Sequence, residues 1–218
     1  MSRYNGFNIV IDIEQKHKNI RKSIFNELQI LLQNNSWSNE MIITAFKNLN
    51  IDHGYQFILF PGGLSEIVVS FNNYLDDKMN DQLRLLPQTL KIREKIAKAL
   101  EIRIIDLSHQ NIVKNTAAFF LLPINITNGI KSAWHTSDLI WKFAGDNSID
   151  YNYYSKRSLL CGAYAASSTF YLSDNSDNYI NTREFIKNAL DNIINIGSLK
   201  NKITLPKKED IPILRLFS

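Results

Sequence analysis

The amino-acid sequence predicts an all-α fold. Glycine and proline are scarce, with 8 and 5 in 218 residues, so few positions force a helix to stop. Apolar residues recur at intervals of three and four along most of the chain, which is the spacing of one buried helix face. The chain is 44% hydrophobic and 21% charged, which is the balance of a globular domain. We therefore expect one helical domain over residues 1–218.

Short helices are predicted for the first part of the chain. The apolar spacing predicts helices over 24–33, 38–50 and 55–60. Ser38 is suited to cap the second helix, because its hydroxyl can accept a backbone N–H bond. The run Phe60-Pro61-Gly62-Gly63 ends the third, since proline and glycine interrupt a helix. These elements predict a small subdomain over about residues 20–63.

Longer helices are predicted for the remainder, which forms a bundle over about residues 64–197. The spacing predicts helices over about 64–83, 90–107, 111–122, 130–144, 151–173 and 181–196. A tail follows over 198–218, and its Pro206 and Pro212 argue against a long helix there. The apolar end of this tail could fold back on the core or contact a membrane.

A helix end, a polar loop and an aromatic, basic helix start follow one another within residues 141–157. Gly145 suits the left-handed position just past a helix, and Asp146, Ser148 and Asp150 can each cap the next one. The opening turns of that helix contain Tyr151, Tyr153, Tyr154, Lys156 and Arg157. Cations oppose the helix dipole at an N-terminus, so this cluster indicates a function other than helix stability.

Patterns for catalysis and metal binding are incomplete. The run Gly63-Leu64-Ser65-Glu66-Ile67 lacks the last glycine of a nucleophile elbow and follows no predicted strand. The Glu-x-x-His spacing of a di-iron helix occurs once, at Glu14 and His17, although such a site needs two copies. The single Cys161 excludes an intramolecular disulfide. We therefore predict no enzyme activity, no metal and no cofactor.

The net charge of +4 is unevenly distributed. Lys91, Lys95 and Lys98 form a stripe on one predicted helix, and such a stripe suits a solvated face, a membrane surface or a nucleic acid. The sequence begins without an apolar signal segment, and its longest dense apolar run, 117–124, is shorter than the roughly 20 residues of a spanning helix. We expect a cytoplasmic protein.

The first three predicted helices, followed by Phe60-Pro61, resemble the helix-turn-helix of TetR-type repressors. The segment that would read DNA, residues 52–59, contains no Lys or Arg for phosphates or guanine edges. The resemblance therefore implies a degenerate DNA-binding motif. A TetR-like DNA-binding transcriptional regulator remains the alternative function.

The sequence closely resembles the accessory protein family that is numbered ninth among the ubiquinone (coenzyme Q) biosynthesis proteins. The resemblance covers roughly residues 24–196 and rests on Trp37, Phe60-Pro61-Gly62, Asp138 through Arg157, Tyr164 and Asp174-Asn175-Ser176. It implies a non-catalytic TetR-like protein that binds lipids, including isoprenoid quinone intermediates, and presents them to the di-iron demethoxyubiquinone hydroxylase. It also implies a homodimer and peripheral contact with the inner face of a bacterial inner membrane.

The resemblance further implies that Tyr153, Tyr154 and Arg157 belong to the family's conserved surface patch, which binds the hydroxylase. An alternative stays open. The tyrosines could pack in the core, while Lys156 and Arg157 pair with Asp146 and Asp150.

A lipid pocket is expected in the bundle, because several helices offer wide apolar faces while residues 161–168 are small. The expected lining residues are Phe71, Phe119, Phe120, Trp134, Leu139, Phe143, Leu160, Tyr164 and Tyr171. Small residues also allow helices to approach closely, so the last two helices are expected to form the dimer contact. Membrane contact is expected from the lysine stripe and from Leu214, Leu216 and Phe217 in the tail.

Overall fold

The structure is a computed structural model that describes residues 3–87, 89–149 and 151–200. Its α-helices are α1 (Arg3–Leu31), α2 (Asn39–Asn48), α3 (Gln56–Leu59), α4 (Gly63–Leu83), α5 (Ile92–Glu101), α6 (Gln110–Leu121), α7 (Ile126–Phe143), α8 (Tyr151–Tyr171) and α9 (Ile180–Lys200). The described residues form helices and turns without a strand, which confirms the predicted all-α fold. The predicted tail lies outside the described residues from position 201 onward.

Helices α1 to α3 pack with the first half of α4 around one apolar core. This first core contains Ile24, Leu28, Ile42, Phe46, Phe60 and Phe71. α2 begins at its predicted cap, where the Ser38 hydroxyl accepts a bond of 3.2 Å from the backbone N–H of Met41. α1 begins much earlier than the predicted residue 24. α3 is a single α-helical turn after a 3₁₀ turn at His53–Tyr55, so the segment expected to read DNA is short.

The second half of α4 packs with α5, α7, α8 and α9 around a second core. This second core includes Met79, Leu100, Ile140, Leu160 and Ile186. The predicted helix over 90–107 is not uniform, because α5 continues as a π-helical segment, Ile102–Asp106. Leu107 donates its N–H to the carbonyl of Ile102 over 2.9 Å, a bond that spans five residues instead of four.

A buried ion pair lies where α4, α7 and the π-helical segment meet. Arg103 Nε donates to Asp76 Oδ1 over 2.7 Å, and both side chains are almost fully buried. Thr136 on α7 also donates to Asp76 over 3.0 Å, and Arg103 Nη2 donates to Asn72 over 3.0 Å. These bonds satisfy both charges inside the bundle and connect three of its helical elements.

The connection between α6 and α7 is a tight corner. The helix predicted to start at residue 130 already begins at Ile126, because the Asn125 N–H bonds the Leu122 carbonyl over 2.8 Å and closes the turn. Gly129 lies against Phe120, and a Cβ atom added to Gly129 would come within 2.8 Å of the Phe120 Cβ atom. The glycine therefore lets the two helices approach closely at this corner.

Across the part of the chain that the structure describes, every helix is too short or too polar to cross a lipid bilayer.

Candidate functional site

The junction between α7 and α8 has the backbone geometry that the sequence predicts. Gly145 has φ of +91°, in the left-handed region, just past the end of α7. Its N–H bonds the carbonyl of Lys142 over 3.1 Å, and the N–H of Asp146 bonds the carbonyl of Trp141 over 3.0 Å. These bonds close the helix end and turn the chain back along α7.

The Asp146 side chain binds side chains of α8 rather than serving as a simple backbone cap. Lys156 Nζ donates to Asp146 Oδ1 over 2.6 Å, and the Ser148 hydroxyl donates to the same oxygen over 2.7 Å. Arg157 Nη1 donates to Asp146 Oδ2 over 3.0 Å. The sequence indicated caps at these positions, but two cations within reach make a stronger partner for a buried carboxylate. Asp150, the third predicted cap, lies outside the described residues.

Arg157 is buried, with 1% of its surface exposed, so the expectation that it belongs to the protein's accessible surface is wrong. Its Nε donates to Asp138 Oδ1 on α7 over 2.6 Å, in addition to the contact with Asp146. Its guanidinium carbon lies 3.6 Å from the centre of the Tyr153 ring, on which it stacks. The pairing of Arg157 with Asp146 is the alternative that the sequence left open, and Asp138 completes the pair of carboxylates.

An aromatic patch lies beside this ion-pair network and consists of the half-buried Trp134 and Tyr153 and the exposed Tyr154. The two tyrosine rings meet edge to face with their centres 5.1 Å apart, and Trp134 lies 6.2 Å from Tyr154. The Tyr153 hydroxyl donates to Asp138 over 3.2 Å, which ties its ring to the network. Tyr154 is 61% exposed. The aromatic patch is therefore held rigidly from below and is open to solvent from above.

The ion-pair network keeps its carboxylates charged. Burial would raise the pKa of the Asp146 carboxyl, but hydrogen bonds from Lys156, Ser148 and Arg157 lower that pKa to about 2. The pKa of Asp138 is also lowered, because bonds from Lys142 and Arg157 outweigh the effect of burial. The Arg157 pKa is raised by the two carboxylates, although burial opposes this. All the charges persist at neutral pH.

The stabilising effect of Asp146 is expected to disappear in acid. The pKa of Asp146 in the folded protein, about 2, lies below its ordinary value of 3.8. The contribution of Asp146 to the free energy of unfolding is therefore complete when the pH is above the ordinary pKa, and it is lost as the pH falls through the folded pKa. The difference in unfolding free energy between the natural protein and Asp146→Asn should fall by about 2 kcal/mol between about pH 6 and about pH 2. Urea unfolding at several pH values measures this difference, and a constant difference would contradict the assigned pKa.

An apolar groove of about 430 Å³ opens beside the start of α5 and borders α7, α8 and α9. Its lining residues are Lys91, Ile92, Arg93, Ile96, Trp141, Leu160 and Leu190. Most of its wall is apolar; Lys91 and Arg93 are among the lining residues, and the Arg93 guanidinium is paired with Asp191. Lys156 lies 5.4 Å from the Trp141 ring centre. The groove has the size and character of a small-molecule site.

The nine residues predicted to line a lipid pocket lie in several places. Leu160 lines the apolar groove, and Tyr171 lines a more polar cavity of about 520 Å³ next to α1. Phe71 belongs to the first core, where Phe119 and Phe120 pack against it, while Leu139, Phe143 and Tyr164 pack against the second core. Trp134 lies in the aromatic patch. The nine do not surround one cavity, and their role in lipid binding stays a prediction.

The small residues at the centre of α8 mostly face outward. Gly162, Ala165 and Ala166 are exposed, whereas Ala163 is buried in the second core. A Cβ atom added to Gly162 would meet no atom within 4 Å. The expectation that Ala166 leaves space inside the bundle is therefore wrong, because that side chain points away from it. The three exposed residues form a smooth strip on α8 instead.

Within residues 3–87, 89–149 and 151–200, no three His, Cys, Asp or Glu side chains are grouped to hold a metal ion. Cys161 has a free thiol that lies 3.2 Å from the Ser137 hydroxyl, and burial raises its pKa. It packs as a small half-buried residue on the inner side of α8.

Comparisons with known proteins connect this region to one family. A family model described as COQ9 matches residues 126–197, which span α7, α8 and most of α9. The probable ubiquinone biosynthesis protein coq9 of Dictyostelium discoideum mitochondria is 35% identical over 131 residues, which cover 59% of this chain and 42% of that protein. The mitochondrial ubiquinone biosynthesis protein COQ9 of Xenopus tropicalis is 26% identical over 174 residues, which cover 74% of this chain and 54% of that protein.

Human COQ9, also mitochondrial, is 23% identical over 179 residues, which cover 77% of this chain and 55% of the human protein. The chain thus spans about half the length of the curated relatives it matches. Among solved structures, a TetR transcriptional regulator from Nitrosomonas europaea ATCC 19718 superposes with a TM-score of 0.65 at 17% identity, covering 81% of this chain and 98% of that one. The chain is therefore similar in sequence to the COQ9 ubiquinone biosynthesis proteins, and it has a TetR-like helical fold.

Proposed function

We propose that this protein is a non-catalytic accessory protein of ubiquinone biosynthesis that binds a lipid and docks on a partner enzyme. The observation that carries the proposal is the partly exposed aromatic patch on α7 and α8, which lies inside the region that matches the COQ9 family. The proposed partner is the di-iron demethoxyubiquinone hydroxylase, and the proposed ligand is an isoprenoid quinone intermediate. We further propose that the protein acts at the surface of the membrane that contains this enzyme.

The aromatic patch has the properties of a protein-docking surface. Tyr and Trp are the residue types that contribute most to binding hot spots, and here they lie side by side on one face. The conformation of Tyr153 is fixed before binding, because its hydroxyl is bonded to Asp138 and its ring is stacked on Arg157. Less conformational entropy is lost when a partner binds to such a fixed surface.

The apolar groove supports the lipid-binding part of the proposal. An isoprenoid chain is a pure hydrocarbon, and the groove offers it Ile92, Ile96 and Leu160 together with the Trp141 ring. Lys91, another lining residue, suits the oxygen atoms of a quinone ring or a lipid head group.

A homodimer is the assembly we propose. The exposed strip of Gly162, Ala165 and Ala166 on α8 lets another helix approach closely, since no bulky side chain separates the backbones. A pair of copies joined through α8 and α9 would leave the aromatic patch at the start of α8 accessible. Light scattering at micromolar concentration tests this assembly.

A DNA-binding role has little support. α3 is one turn long, its Gln56 is buried, and its exposed side chains include the apolar Phe57 and Ile58. Helix-turn-helix proteins insert a longer recognition helix with polar and basic side chains into the major groove.

Two measurements on the purified protein test the proposed function. Organic extraction followed by mass spectrometry should release phospholipid or a quinone precursor, and the cognate demethoxyubiquinone hydroxylase should be captured by the immobilised protein. A protein that consistently emerges without lipid would refute the lipid-binding part. Failure to capture the cognate hydroxylase would refute the docking part.

Filling the apolar groove should reduce lipid loading. In Ile92→Trp, the larger ring should occupy groove volume without disturbing the core, because Ile92 is a largely exposed residue at the groove. Bound lipid per protein should fall several-fold, while helicity and melting temperature stay unchanged. Leu85→Trp is the matched control, since Leu85 is also exposed and lies outside the groove lining. Equal lipid loading in both variants would exclude this groove as the site.

A further inference from the structure

The corner between α6 and α7 exposes an unusual number of large apolar side chains. The exposed residues are Leu121, Leu122, Ile124, Ile126 and Ile130. Ile124, at the tip of the turn, is 87% exposed and Leu121 is 74% exposed. Single exposed apolar residues are ordinary on a protein surface, but a contiguous group marks a contact with something apolar.

The charges within the chain segment that forms this corner are of one sign. Residues 107–137 contain no Asp or Glu, although 21 such residues occur in the chain. Lys114 on α6 and Lys131 on α7 are both exposed. The corner therefore combines an apolar tip with flanking cations, which is the composition of a surface that lies in the headgroup region of an anionic bilayer.

The corner is also rigid. The buried Asn125 side chain donates to the carbonyl of Phe119 over 3.2 Å and lies 3.4 Å from the hydroxyl of Ser65 on α4. Asn128 donates to the same hydroxyl over 3.0 Å. Together with the close contact of Gly129 and Phe120, these bonds fix the apolar tip to the body of the protein. No ordering of the tip is required before it contacts a bilayer.

We propose that the α6–α7 corner is a membrane-contact surface that inserts its apolar tip among the acyl chains of an anionic bilayer. The cations Lys114 and Lys131 favour an anionic bilayer over a second copy of the corner, which has the same two cations. The corner lies outside both the groove lining and the aromatic patch. This surface deepens the proposed function and rests on it only for the identity of the partner enzyme.

The corner also determines how the aromatic patch meets the membrane. α7 starts in the corner at Ile126 and reaches Trp134 eight residues later, a rise of about 12 Å along the helix. With the corner inserted, the aromatic patch lies within roughly that distance of the bilayer surface. A membrane-associated enzyme would meet it there without leaving the bilayer.

Vesicle flotation of the full chain tests the proposal. The protein should float with vesicles of phosphatidylcholine mixed with phosphatidylglycerol. The double variant Leu121→Asp/Ile124→Asp should bind them at least about tenfold more weakly, which corresponds to about 1.4 kcal/mol. The matched control is Leu85→Asp/Ile180→Asp, which places the same charges at two other highly exposed apolar positions and should bind like the natural protein.

A second pair of substitutions separates the charges from the apolar tip. Lys114→Gln/Lys131→Gln should bind the mixed vesicles about tenfold more weakly and leave binding to pure phosphatidylcholine unchanged. Helicity and melting temperature should be those of the natural protein in every variant, since all six substituted residues are exposed. Unchanged flotation of the corner variant would overturn the proposal, and so would a change in its oligomeric state by light scattering, which would indicate a contact between copies. A protein that floats normally with vesicles but captures no hydroxylase, or contains no bound lipid, would refute the proposed function and leave the membrane-contact proposal standing.

Discussion

Replacing Arg157 by alanine is expected to lower the free energy of unfolding by about 3 kcal/mol or more. The guanidinium is buried and joins Asp138 to Asp146, so its removal leaves two largely buried carboxylates with one fewer cation each. Lys142 and Lys156 remain beside these carboxylates. The loss of stability should therefore lie near the lower end of the range that is typical of breaking a buried ion pair. Urea unfolding at neutral pH measures the change.

Tyr154→Ala is the matched comparison. Its side chain is exposed and contacts the rings of Trp134 and Tyr153, so the free energy of unfolding should change by less than about 1 kcal/mol. Capture of the cognate hydroxylase should nevertheless be abolished, because a hot-spot aromatic is lost. Arg157→Lys should restore part of the stability, since it keeps the charge but not the double contact. An Arg157→Ala protein as stable as the natural one would contradict the burial of this network.

Removing Arg103 should destabilise the protein by about 3–5 kcal/mol, because Asp76 would be left almost fully buried without its cation. Thr136 would still donate to Asp76, but a hydroxyl does not replace a guanidinium. Thermal and urea unfolding of Arg103→Ala measure the loss. Asp76→Asn should cost a comparable amount by leaving the arginine without its anion.

The double variant Arg103→Met/Asp76→Leu distinguishes charge from packing. It replaces both ions by apolar side chains, so it should recover most of the stability that either single substitution loses. If the double variant instead loses as much stability as the two single variants added together, the two side chains stabilise the protein through packing and not through the attraction between their charges. Helicity of each variant at neutral pH serves as the check on folding.

Local signals in the sequence predicted the helices and their ends. The apolar spacing marked the helices of both cores, Ser38 capped α2 and Gly145 closed α7 in the left-handed conformation. Each of these features depends on residues within one or two turns of each other. The early start of α1 was missed because its apolar positions before residue 24 are spaced less regularly.

The burial of Arg157 needed information that local spacing does not contain. Its partner Asp138 lies 19 residues earlier on a different helix, and the turn at Gly145 brings the two together. A sequence pattern shows that Tyr154 and Arg157 are near neighbours on α8, but not which neighbouring helix covers one of them. The available signal for this burial was the presence of two aspartates, Asp138 and Asp146, before Arg157 in the sequence.

The lining of a pocket was equally hard to predict. Apolar spacing identifies side chains that avoid water, and Phe71 and Leu160 are both buried as it indicates. It does not separate a filled core from a groove, which depends on how far neighbouring helices lie apart. Trp141 and Leu190 line the groove although neither was predicted, because they belong to helices that meet only in three dimensions.

The π-helical segment Ile102–Asp106 sets the direction in which Arg103 points. Its wide turn accommodates one residue more than a regular helix between α5 and the start of α6. Deleting one residue here would return the segment to a regular α-helix and remove the wide turn in which Arg103 lies against Asp76. The segment's length is therefore as fixed as its composition. Variation in chain length among homologues should concentrate in the connection between α4 and α5 instead.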